Sequence, residues 1–77
     1  MQNLANLPIG TKGEIRLISD IALEQKLLEM GCTPGEKIEV VRIASFGGPV
    51  AILVSSYVLS IRQEDALKID IKLLKDE

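Results

Sequence analysis

LLEMGCTPGEKIEV, from Leu27 to Val40, ends one periodicity and begins another. Upstream of it, Leu23, Leu27 and Met30 gather on one face when successive residues turn by about 100°. Downstream, Ile38 and Val40 alternate as in a half-buried strand. Between them, Gly31 suits the left-handed residue that ends a helix. Pro34-Gly35 suits the central pair of a type II turn, proline setting a negative φ and glycine taking the positive one. The order helix, loop, strand also decides against phosphate binding. A phosphate cradle needs a strand, a glycine-rich loop, Lys-Ser/Thr and then a helix N-terminus, whereas this helix presents its C-terminus.

Before this stretch, GEIRLIS (Gly13 to Ser19) reads as a strand with Ile15 and Leu17 on one face. Asp20 is placed to cap a helix over Ile21 to Met30. After it, KIEVVRIAS (Lys37 to Ser45) reads as a strand whose out-of-phase Ile43 predicts a bulge or sharp bend. FGGP (Phe46 to Pro49) supplies a hairpin loop, and VAILVS (Val50 to Ser55) has the continuous apolar pattern of a central strand covered on both faces. A tight break at Ser55-Ser56 leads into YVLSIR (Tyr57 to Arg62). A single helical turn is expected at QEDAL, followed by a last strand, KIDIKLL, with Ile69, Ile71 and Leu73 inward. About five short strands with one helix after the first predict a mainly β fold, a small antiparallel barrel whose closure removes exposed edges.

The chain has 77 residues, enough for one small domain spanning residues 1–77. Hydrophobic residues make up 47% and aromatic residues 3%, so the core must be built from Ile, Leu and Val. With no histidine and a single cysteine, the chain has no internal disulfide and few soft-metal ligands. A lone thiol without a secretory segment fits a cytoplasmic location, and no apolar run is long enough to cross a bilayer. Nine basic residues are scattered among eleven acidic ones, for a net charge of −2. That balance disfavours a nucleic-acid partner, which needs a concentrated basic surface.

No catalytic, cofactor-binding or metal-binding residues are assigned. Cys32 lies beyond a helix C-terminus with Glu29 and Glu36 nearby, the reverse of what lowers a thiol pKa, and reads as a small packed side chain. Without histidine, the usual general base for Ser or Cys nucleophiles is missing, so an enzyme is not expected. The candidates are instead partner contacts. Ile21 and Leu28 occupy a second helix face that one small sheet cannot cover, and either another segment covers it or a partner does. Phe46 at the hairpin tip either folds back as a lid or stands out as an anchor. Arg42 and Arg62 either make surface ion pairs, Arg62 with Glu64 or Asp65, or reach a nucleotide phosphate held by a partner.

The residues LxxLPxGxKGxI (Leu4 to Ile15), KLLEMGCTPGEKIEVV, ASFGGPVAILV and LSIRQEDALKIDI together resemble the FeoA family of small bacterial proteins associated with ferrous iron transport. The resemblance runs from Leu4 to about Ile71 and is most specific over Leu27 to Gly35. One departure is that the family commonly has glycine at the break where this chain has Ser55-Ser56. The resemblance implies an SH3-like β-barrel and a cytoplasmic accessory role beside the membrane ferrous transporter FeoB, through its cytosolic G-protein domain. It carries over a contact expectation for the helix and the SFGGP tip, no metal ligand and no membrane insertion, with weak homo-oligomerisation as a further option. The alternative is a regulatory module like the C-terminal domain of iron-dependent repressors. The start at Met1 and the lack of a DNA-binding helix pair favour a stand-alone protein. A third option is a GTPase-activating role for Arg42 or Arg62.

Overall fold

A computed structural model describes residues 2–74. The expected domain of residues 1–77 therefore includes Met1 and three C-terminal residues that lie outside the described ones. Six strands form one antiparallel sheet: β1 (Gln2–Asn3), β2 (Lys12–Ile18), β3 (Lys37–Ile43), β4 (Val50–Val54), β5 (Tyr57–Ile61) and β6 (Ile69–Leu73). A 3₁₀ turn covers Leu4–Asn6, helix α1 covers Ile21–Glu29 and a single turn, α2, covers Gln63–Ala66. The strand order is β1-β6-β2-β3-β4-β5.

This is the expected SH3-like arrangement, with two corrections. The sheet has six strands, because the polar pair Gln2–Asn3, too short to show any periodicity, pairs with Ile71 and Asp70 of β6. The sheet is also open. β1 pairs only with β6 and β5 only with β4, so "barrel" describes its curvature and not a closed ladder. Residues outside the strands seal the core instead. Leu4, Leu7, Leu23, Leu27, Cys32 and Ala66 pack with Ile15, Ile52, Ile69 and Ile71 in one buried cluster.

Bulges redirect side chains that strict alternation would send inward. In the β2–β6 pair the register runs Ile15↔Ile71 and then Leu17↔Asp70, leaving Arg16 as the extra residue. Ile15 and Ile18 are therefore both buried, whereas Leu17, expected inside, is 56% exposed. The bulge predicted in β3 is present between Val40 and Arg42. Two further inward assignments are corrected. Leu73 lies at the end of β6 and is exposed, and β4 is covered on one face only, with Leu53 turned outward opposite Val58.

The helix ends as its sequence predicts. Asp20 Oδ1 accepts from the Leu23 N–H at 2.9 Å, a side-chain cap. At the other end Gly31 has φ +76°. Its N–H donates to Leu28 O at 3.0 Å, and the Cys32 N–H reaches back to Leu27 O at 2.9 Å. This pair of bonds is a Schellman motif, which satisfies carbonyls the helix leaves unpaired. Gly35 has φ +98°, and the Glu36 N–H donates to Thr33 O at 3.0 Å, the expected turn around Pro34-Gly35.

Two substitutions test this backbone. At Gly13 an added Cβ would collide with Ile71 Cγ2 and lie 3.0 Å from Lys72 O, so β2 and β6 approach too closely for a side chain. Gly13→Ala is expected to destabilise the fold by about 1–3 kcal/mol in urea unfolding. Ser55 has φ +53° in the two-residue loop between β4 and β5, a conformation costly for any residue with a Cβ. Ser55→Gly is expected to gain about 0.5–1 kcal/mol, the larger unfolded-state entropy of glycine offsetting part of the relief.

Candidate functional site

Helix α1 turns Leu23 and Leu27 into the core, each worth about 1.5–3 kcal/mol of burial. Met30, expected on the same face, sits at the helix end and is 40% exposed. Its carbonyl accepts a hydrogen bond from the Tyr57 hydroxyl, which ties the end of α1 to the start of β5. The opposite face is uncovered. Ile21 is 76% and Leu28 61% exposed, so neither a loop nor the N-terminal segment among the described residues packs over them.

The hairpin between β3 and β4 resolves the choice at Phe46. The Gly48 N–H donates to Ser45 O at 3.2 Å, with φ +57° at Phe46 and +73° at Gly47. Positive φ at both central positions is the type I′ pattern, whose twist suits a hairpin. It points the Phe46 ring away from the domain, fully exposed at 105%, so the lid alternative is overturned. A bulky side chain in the left-handed region is strained. The tip therefore holds an aromatic where glycine or asparagine would be cheaper.

Arg42 is exposed on β3, one residue from the Ile43↔Val50 pair at the hairpin's base. Arg62 makes the ion pair expected of it, Nε to Asp65 Oδ2 at 3.7 Å. It also lines a small groove between α1 and β5 with Leu23, Leu27, Met30 and Ile61. Neither Arg42 nor Phe46 lines that groove. The five candidates thus form separate surface features and not one pocket. Cys32 is fully buried as the third residue past the end of α1, and burial followed by the charge of Glu36 pushes its thiol up to about 11. It is a neutral packing group at physiological pH. Among the described residues no three His, Cys, Asp or Glu side chains cluster as metal ligands.

Two contributors escape a reading by residue type. Leu17 joins the exposed surface only because of the Arg16 bulge. The signal for it was present, since Ile15 and Ile18 cannot both face inward by strict alternation. Tyr57 looks like an ordinary strand residue, and only the packing of β5 beside the helix end reveals its clamp.

The family described as FeoA domain matches residues 2–73. A relative from Porphyromonas gingivalis, the Fe(2+) transport protein A/Fe(2+) transporter FeoB fusion protein, is 40% identical over 50 residues, or 65% of this chain. The match covers 6% of that relative's length. The solution structure of FeoA protein from Chlorobium tepidum aligns with a TM-score of 0.86 and 27% identity, covering 99% of this chain and 74% of that one. A manganese-dependent transcriptional repressor aligns with a TM-score of 0.84 and 17% identity, over 95% of this chain and 41% of that one. At that identity the likeness is one of fold.

The helix that carries Ile21 and Leu28 should respond to acid through its cap. The Leu23 N–H, and then Lys68 at 3.4 Å, hold the Asp20 carboxyl below its ordinary value of 3.8. Folding therefore favours the carboxylate. The stabilisation is fully present above the ordinary value and is lost as pH falls through the lower folded one. Asp20→Asn keeps a capping oxygen but removes the titration. Urea unfolding between neutral pH and about pH 2 is expected to show a shallower acid loss for the variant than for the wild type.

Proposed function

The chain belongs to the FeoA family, a family of accessory domains in ferrous iron transport and not of enzymes, and from that premise we propose that it acts in the cytoplasm by docking on the cytosolic G-protein domain of a FeoB-type transporter. The P. gingivalis relative supports the pairing, because it carries transport protein A and the transporter in a single chain. Covalent fusion keeps two domains at high effective concentration, which is useful when they must meet.

The observation that carries the docking reading is the uncovered face of α1. One face of this helix is committed to the core, while the other exposes Ile21 and Leu28 at 76% and 61%. An apolar helix face presented to water suits insertion into a groove on a partner. The strained, fully exposed Phe46 supports a second contact, since aromatic anchors often concentrate binding energy. No helix among the described residues is long and apolar enough to cross a membrane, so on this reading the transporter alone provides the spans.

The fold shared with the manganese-dependent repressor favours a second reading, a regulatory module within metal-responsive repression. The two separate in one assay, since the repressor-type reading predicts no affinity for the transporter.

Leu28→Asp is expected to weaken association with the transporter's cytosolic domain more than tenfold, an exposed change that leaves the unfolding free energy within about 0.5 kcal/mol of wild type. Phe46→Gly relieves the left-handed strain, so it should hold or raise stability while weakening the same association. Calorimetric titration of the purified pair reads both, and unchanged affinity for Leu28→Asp would remove the helix from the contact.

A further inference from the structure

The outer face of α1 carries charge as well as apolar surface. At about 100° per residue, Glu24 falls about 40° beyond Leu28, and Glu29 about 80° beyond Ile21, with Gln25 between Ile21 and Glu29. Two carboxylates therefore bracket the apolar ridge. Both are exposed, and among the described residues neither has an ion-pair partner: the side-chain bridges join Arg62 to Asp65 and Lys68 to Asp20. The single basic residue of α1, Lys26, faces the groove with β5 instead.

We propose that this face recognises an apolar groove whose rim carries lysine or arginine side chains, with Ile21 and Leu28 buried in the groove and Glu24 and Glu29 paired to the rim. The proposal rests on the docking reading above and adds the partner's chemistry to it. Burying the ridge brings the flanking carboxylates to the edge of the interface, where they lose part of their hydration. A rim of cationic donors compensates that loss, while an acidic or purely apolar rim opposes docking. The net charge of −2 has the same sign and favours approach to a basic surface. A bare apolar helix would fit any apolar groove, whereas the two glutamates make the choice selective.

The test is titration of the intact chain against the cytosolic domain of a FeoB-type transporter at about 50 and about 300 mM sodium chloride, conditions that differ strongly in screening. Wild-type affinity is expected to fall with salt. The double variant Glu24→Gln with Glu29→Gln is expected to bind on the order of tenfold more weakly at low salt, with a flatter salt response. Glu24→Lys with Glu29→Lys should bind more weakly still. Circular dichroism checks that each variant is folded. If the double glutamine variant matches wild type at both salt concentrations while Leu28→Asp fails to bind, the basic rim is wrong and the docking reading stands. If Leu28→Asp binds like wild type, or wild type does not bind at all, the docking reading fails and the rim with it.

Discussion

Ile15 is where the two halves of the chain are joined. Its N–H donates to Glu36 O at 3.0 Å, and its carbonyl accepts from the Gly35 N–H at 2.7 Å. On its other side it lies opposite Ile71 in β6, and its side chain is buried in the aliphatic cluster. One residue thus connects the turn after the helix to the last strand. The Pro34-Gly35 turn matters for this reason, because it aims two backbone groups back at β2. Gly13, two residues earlier, allows β6 to approach closely enough for the pairing.

Because the sheet stays open, the core depends on pieces that are not strands. Leu23 and Leu27 of α1, together with Cys32 just past its end, pack into the same buried cluster as the inward strand residues. A helix used in this way can bury only one face. A nine-residue helix lying over a small curved sheet keeps its other face in water. Exposure of Ile21 and Leu28 is thus compatible with a stable domain, and the docking reading uses surface that folding leaves free.

Among the described residues, two that are not glycine accept left-handed backbone, with different consequences. Ser55 does so in a two-residue loop where the chain must reverse, and its exposed side chain makes no hydrogen bond of its own among the described residues. Phe46 does so at a hairpin tip whose geometry would be met more cheaply by glycine, and its ring is fully exposed. Backbone strain beside a projecting aromatic suggests a contact outside the chain more strongly than exposure alone.

Most of the local structure was legible in the sequence because local interactions decide it. The Asp20 cap, the Gly31 stop, the Pro34-Gly35 turn, the β3 bulge and the buried, unreactive place of Cys32 each follow from residues within a few positions of one another. Side-chain direction in β2 and at the end of β6 did not follow, nor did the pairing of Gln2–Asn3, because each is set by what lies across the sheet. A bulge that inserts Arg16 opposite β6 reverses the facing of Leu17 without changing a single local propensity. The candidate contacts divide in the same way. Periodicity alone puts Ile21 and Leu28 on one helix face, and the paired glycines alone put Phe46 at a turn. That no other described residue covers them emerges only from the folded chain, since burial is a property of the whole fold and periodicity is a property of one segment.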